Sequence, residues 1–201
     1  MKRDWHKLLE KLYDGATVLR SNDLEQRGLA RSRIREAVEA GALERVGRGL
    51  YARPGADLSE HHSLVQAIRR VPRSAVCLLS ALRFHDLTSQ NPHEVWIAIG
   101  PKDRMPKVEN PPLHVVRFGA GQFDLGLETH EVEGTRLRVY SVARTVVDLF
   151  RYRNKIGLDV ALEALKEGWR THRFTLAEIN RIAAQCRMTR VMKPYLESLT
   201  A

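Results

Sequence analysis

Apolar residues in the first fifty positions recur at two different spacings. Trp5, Leu8, Leu9 and Leu12 fall three or four apart and predict an amphipathic helix within MKRDWHKLLEKLYDG. A short second helix is predicted from Ser21, whose hydroxyl can cap it, with Leu24 inward and Gly28 ending it in the left-handed region. A third runs from about Ala30 to Ala40, with Ala30, Ile34, Ala37 and Val38 on one side and Gly41 closing it. The spacing then becomes that of strands. Leu43 to Val46 and Leu50 to Ala52, joined by Gly47-Arg48-Gly49, predict a tight hairpin with an arginine at its tip. Helix, turn, helix and basic hairpin in this order predict a winged helix-turn-helix over residues 1–55.

Pro54-Gly55-Ala56-Asp57 reads as a boundary, and residues 56–201 predict a second domain. Ser59 is expected to cap a helix from Glu60 to Arg70, which stops before Pro72, and the apolar stretch Ser74 to Leu87 predicts another. Glu94 to Ile99 and Leu113 to Phe118 predict buried strands, the first ended by Gly100-Pro101. Leu127 to Val132 and Thr135 to Tyr140 predict a hairpin turning at Glu133-Gly134. Ser141 should cap a helix from Val142 to about Tyr152, with Val146, Val147, Leu149 and Phe150 inward. Three further helices are predicted at 158–170, 175–187 and 189–199. The expected fold is α+β: an N-terminal winged helix-turn-helix, then a small mixed sheet flanked by helices and a helical C-terminal tail.

Charge sharpens this picture. The 201 residues carry a formal net charge of +9, which points toward a polyanionic partner. Residues 1–55 hold twelve Lys and Arg against eight Asp and Glu, so they are about twice as basic per residue as the remainder. With Ile34 and Val38 toward the core, Ser32, Arg33 and Glu36 turn outward on the third helix and Arg31 and Arg35 flank them. Arginines in the first half of such a helix suit bidentate contact to guanine or charge-assisted bonds to phosphate. Arg45, Arg48 and Arg53 lie on or beside the hairpin and suit backbone or minor-groove contact. The candidate partner is double-stranded DNA. A second basic surface is a candidate in Lys102, Arg104 and Lys107, between prolines, and in Arg151, Arg153 and Lys155 at a helix end.

Other chemistries find no support in the residue spacing. No i,i+4 histidine pair and no Cys-x-x-Cys occurs, so no metal is expected. Asp86, Glu94 and Lys102 do not make a nuclease set, because the segment from Glu94 to Lys102 is too long and crosses Pro101. Phosphate-binding, nucleophile-elbow and dinucleotide motifs do not occur, and neither does the Gly-Ser with Asp-x-Asp of a nucleotidyltransferase. The expectation is a protein that is not an enzyme and needs no cofactor. Cys77 and Cys186 stand alone in apolar or helical stretches and read as reduced and buried. Without a signal peptide or an apolar run near the roughly 20 residues of a membrane span, a cytoplasmic protein is expected.

The segments CLLSALRFHDLTSQNPHEVWIAI at 77–99 and RVYSVARTVVDLFRYRNKIGLDVALEAL at 138–165, with RGLYARPG at 48–55, carry a family resemblance. The chain resembles the AbiEi family, the type IV antitoxins of abortive-infection systems and their related transcriptional regulators. The resemblance implies a bacterial repressor of its own operon that binds operator repeats through its N-terminal domain. It also implies a C-terminal domain that counters a nucleotidyltransferase-like toxin without holding it in a stable complex. Two other readings stay open from the residues alone. One is a standalone regulator whose second domain senses a ligand or oligomerises; the other is a DNA-processing enzyme targeted by its winged helix.

Overall fold

The computed structural model describes residues 5–199, so residues 1–4 of the expected first helix lie outside it. The chain divides into two compact units: Met1–Pro72 with Glu131–Leu137, and Arg73–His130 with Arg138–Ala201. The expected boundary at Pro54-Gly55 therefore differs from the division of contacts, which falls after Pro72 and takes seven residues of a distant hairpin into the first unit.

The first unit runs α1 (Trp5–Tyr13), β1 (Val18–Arg20), α2 (Ser21–Gln26), α3 (Arg31–Glu39), β2 (Glu44–Gly47), β3 (Leu50–Ala52) and α4 (His62–Arg70). The strands form an antiparallel sheet in the order β1-β3-β2. β1 was not among the expected elements. Its three residues are too few to show a period, and their partner Leu50–Ala52 lies thirty residues away. Because side chains alternate along a strand, the sheet has two faces to bury. Leu19 joins Leu9, Leu12, Tyr13, Leu24, Leu29, Ile34, Ala37 and Leu43 in one core. Val18, Leu50 and Ala52, with Val46 against them, form a separate cluster. α4 packs on β1 and buries Leu64, Val65, Ala67 and Ile68.

Local details of this unit depart from expectation in three places. Ser21 is the first residue of α2 rather than its cap. Arg20 holds that place in extended conformation, and its amide donates to the Asp23 carboxylate at 3.1 Å. Ala30 is exposed where α3 begins, and Leu29 of the turn fills the core in its stead. α4 begins at His62, not Glu60, and Ser59 does not cap it. The Ser59 amide and hydroxyl both donate to Glu133, at 2.7 and 2.8 Å.

Glu133 is a hub of the first unit. Its side chain is 4 % exposed and accepts from Ser59, from the Thr17 hydroxyl and from His62 Nδ1, the last at 2.9 Å. It sits with Gly134 in a two-residue turn, both at positive φ (+49° and +61°), the geometry that matches strand twist. A Cβ on Gly134 would lie 2.6 Å from the Ala16 amide nitrogen, so only glycine allows this approach.

The second unit contains β4 (Ala75–Val76), α5 (Leu78–Phe84), β5 (Val95–Ile99), β6 (Leu113–Arg117), β7 (Leu127–Val132), β8 (Thr135–Tyr140), α6 (Val142–Ile156), α7 (Leu158–Arg170), α8 (Leu176–Gln185) and α9 (Thr189–Glu197). The turn of the β7–β8 hairpin is the segment counted with the first unit. The sheet has the order β6-β5-β4-β8-β7 and is mixed: β4 pairs antiparallel with β5 and parallel with β8, and β5 and β6 are parallel. The expected single helix over 74–87 is instead β4 followed by α5. Ala75 and Val76 pair with Ala98 and Ile97, a non-local pairing that two apolar residues do not announce.

α6 is the centre of this unit. Ser141 caps it by accepting from the Arg144 amide, and every residue from Val142 to Phe150 is buried. It packs against α5, α7, α8 and α9. A helical stretch buried all round has no outlet for charge, yet Arg144 and Asp148 lie on it with side chains 0 % exposed. They satisfy each other: Arg144 Nε donates to Asp148 Oδ2 at 2.8 Å. Arg144 Nη1 donates to the carbonyls of Gln122 and Leu125 at 2.7 and 3.0 Å, and its plane lies within 5 Å of the Phe118 and Tyr140 rings. Burial pushes the Asp148 carboxyl up to about 6, and Arg144 pulls the other way.

Two outcomes are expected. Arg144→Ala or Asp148→Ala leaves a buried charge alone and should cost about 3–5 kcal/mol in urea unfolding, whereas the joint change Arg144→Met/Asp148→Leu should cost less than either. A joint change as costly as the two singles added would refute the pairing. At Glu133, burial opposes ionisation, but the bonds from Thr17, His62 and Ser59 outweigh it and hold the carboxyl below its usual value of 4.5. A lowered folded-state pKa contributes stability that is present above the unfolded value and lost as pH falls through the folded one. Glu133→Gln should therefore lower Tm near neutrality and flatten its decline between about pH 5 and pH 3, and parallel Tm–pH curves would contradict this.

Candidate nucleic-acid interface

α2 and α3 meet at a turn set by Gly28, at φ +93°, and by Leu29, whose amide bonds back to the Leu24 carbonyl at 2.9 Å. Arg31 Nε donates to Glu25 Oε1 across this turn at 2.6 Å, so one of the three expected reading arginines also ties the two helices together. Ser32 and Arg35 are exposed on α3 and Arg33 is half-buried. Arg33 and Arg35 make no hydrogen bond or ion pair among the described residues. The buried side of the helix is Ile34 and Ala37, with Val38 half-buried beside them.

The β2–β3 hairpin forms the wing, with Arg48 exposed at its tip. Arg45 is also exposed, and its Nε reaches the Gly47 carbonyl at 3.4 Å. The pairing shifts register between Arg45 and Gly47, so the wing carries a bulge just before its turn. The Ser21 amide donates to the Gly49 carbonyl at 3.0 Å, which holds the wing against the start of α2. Arg53 is placed differently from the other two wing arginines. It is half-buried with its guanidinium 5.5 Å over the Tyr13 ring, and its Nε is buried without a partner. The Tyr13 hydroxyl in turn donates to the Tyr51 carbonyl at 2.9 Å, and burial pushes its pKa up.

Three positioning residues had no signal in the local sequence. Arg27 Nη1 donates to the carbonyls of Leu12 and Tyr13 at the end of α1. Arg69, near the end of α4, donates to Asp23 at 3.2 Å and to the Thr135 hydroxyl at 3.1 Å. Arg70 lays its guanidinium on Gly47 of the wing: a Cβ there would overlap it, lying 2.9 Å from Cζ. Only Asp23, three residues past an extended residue, carries the pattern of a capping box.

The second basic set is spread over separate elements. Lys102, Arg104 and Lys107 are exposed on the connection between β5 and β6. Arg117 Nη1 fastens the start of that connection by donating to the carbonyls of Gly100, Pro101 and Asp103 at 2.7–3.0 Å. On α6, Lys155 and Arg151 are exposed, the latter bonded to Gln122 at 2.6 Å. Arg153 is half-buried and donates to the Phe150 carbonyl, which corrects its expected exposed place. No bond joins the loop to α6 among the described residues. Among the same residues there is no cluster of three metal-ligating side chains, and no helix is long and apolar enough to cross a membrane. Cys77 and Cys186 are free and buried.

Helix, strand, two helices across a glycine turn, and a two-stranded wing returning to that strand define a winged helix-turn-helix, the module of many DNA-binding regulators. Residues 6–54 match the family described as transcriptional regulator, AbiEi antitoxin. The N-terminal region is thus a DNA-binding transcription-regulator domain of the AbiEi antitoxin type, in line with the resemblance. The match lies outside the segments 77–99 and 138–165 that also carried that resemblance. Over a longer span the fold is similar to the crystal structure of the RV2827C protein from Mycobacterium tuberculosis. The TM-score is 0.61 at 18 % identity, covering 90 % of this chain and 72 % of that one. No curated protein matches the chain in sequence.

The two kinds of wing arginine should separate in solution. Arg53→Ala should lower Tm, through loss of its packing on Tyr13, and leave the salt dependence of DNA binding unchanged. Arg48→Ala should leave Tm in place and flatten the slope of log affinity against log salt by about one unit. Calorimetry and fluorescence anisotropy at several salt concentrations measure both, and a reversed pattern would exchange the roles assigned to these residues.

Proposed function

We propose that this protein represses its own operon by binding operator repeats, and that it is the antitoxin of a type IV pair opposing a nucleotidyltransferase-like toxin in the cytoplasm. The observation that carries the regulatory part is α3. Its exposed Ser32 and Arg35 and half-buried Arg33 stand beside a wing tipped by Arg48, all within the residues that match the AbiEi regulator family. Arg31, Ser32, Arg33 and Arg35 face the major groove in this reading, and Arg45 and Arg48 contact the backbone. Residues 1–55 with α4 form the DNA-binding module, and the rest of the chain serves antitoxicity. The exposed cations Lys102, Arg104, Lys107, Arg151 and Lys155 give that part a surface suited to RNA or to a nucleotide-bearing target of the toxin.

The experiment uses the intact chain. A duplex from the region upstream of its own reading frame should be footprinted by the wild type. Arg33→Ala or Arg35→Ala should cost about 1–3 kcal/mol on that duplex and less on a scrambled one. Expressed from an unrelated promoter beside the neighbouring toxin gene, the joint variant Arg33→Ala/Arg35→Ala should still rescue growth. Absence of any footprint defeats the regulatory reading, and loss of rescue would reduce antitoxicity to repression of the toxin gene.

A further inference from the structure

The residue that reaches the wing from outside the winged helix-turn-helix is Arg70, in the last turn of α4. Its guanidinium approaches Gly47 with Nη2 foremost and fills the space a Cβ there would take, next to the bulge where β2 shifts register against β3. Its Nε is buried without a partner, and burial lowers its pKa. A side chain that surrenders solvent in this way without gaining a hydrogen bond at Nε must be held by its packing on the wing and by its helix. The helix is itself held, since the preceding Arg69 bonds to Asp23 in the first turn of α2. One turn of α4 therefore touches both halves of the module, the helix-turn-helix through Arg69 and the wing through Arg70. Gly47 is not at positive φ, so its lack of a side chain answers no backbone demand. It answers the space taken by Arg70.

We propose that Arg70 is a positioning residue for DNA binding. Resting on Gly47, it fixes the wing so that Arg48 meets the phosphate backbone while α3 occupies the groove. The inference rests on the DNA-binding reading above and adds a residue beyond the 6–54 segment that matches the regulator family. Phosphate contacts set register and orientation, so a displaced wing loses affinity on every sequence alike and leaves base preference with α3.

The test uses the full-length protein and two labelled duplexes, one from upstream of its own reading frame and one scrambled. Arg70→Ala should weaken both by roughly three- to tenfold, the scale of one lost hydrogen-bonded contact, and leave their ratio unchanged. Gly47→Ala should reproduce this effect, since a methyl there displaces only the far end of a flexible side chain. The double variant Gly47→Ala/Arg70→Ala should bind no worse than either single. Arg48→Ala should cost less, and flatten the salt slope less, in the Arg70→Ala background than in the wild type. Additive losses for Arg48 and Arg70, or full binding by Arg70→Ala, would overturn the inference while wild-type binding keeps the DNA reading intact. Wild-type protein that binds neither duplex overturns both. Should Arg70→Ala lower Tm, Gly47→Ala provides the same displacement with α4 unaltered, and amide shifts of residues 45–50 report the wing directly.

Discussion

A three-stranded sheet with two apolar faces is the constraint on which the DNA-binding module depends. One face is covered by α1, α2 and α3, with Leu19 contributed to that core and Tyr51 packed against it. The other carries Val18, Leu50 and Ala52, with Val46 packed against them. Exposed apolar strands of this kind invite association, so the sheet needs a cover. α4 packs on β1 and supplies an apolar stripe of its own. Its last turn then falls where Arg69 and Arg70 reach α2 and the wing. The places of Arg69 and Arg70 thus follow from the packing of α4 on β1.

The second unit meets a different problem with a similar economy of parts. α6 is enclosed by four helices and carries two charges into the interior. Arg144 and Asp148 sit four residues apart on one helix, so the helix itself brings them within reach. Nη1 of Arg144 is then spent on the carbonyls of Gln122 and Leu125, which orders an irregular segment that has no ladder of its own. Nη2 of Arg144 and Oδ1 of Asp148 keep no partner, a cost a purely apolar pair would avoid. Gly126 closes the arrangement, because a Cβ there would lie 2.9 Å from that of Arg144.

Where the sequence was legible, a local rule sufficed. The α2–glycine–α3 spacing, the wing, the β7–β8 hairpin with its Glu-Gly turn and the cap at Ser141 are each written within a few residues. β1 and β4 were not legible, since each is two or three residues long and acquires its character from a partner far along the chain. Arg53 and Arg153 show the same limit for side chains. Position beside a wing or at a helix end does not say whether an arginine faces water or lies along Tyr13 or against the Phe150 carbonyl. Glu133 in the sequence signals only a turn. Its three partners, Thr17, Ser59 and His62, come from segments more than seventy positions earlier.

The inclusion of Glu131–Leu137 in the first unit has a consequence for synthesis on the ribosome. Chains emerge from the amino terminus, and domains generally fold as they appear. Here the winged helix is translated long before Glu133, and until then Thr17, Ser59 and His62 lack the carboxylate that joins them. A truncated nascent chain therefore carries α3 in an unfinished domain, and the finished one requires that translation pass Leu137. Synthesis of about half of the second unit is in this way a condition for completing the first.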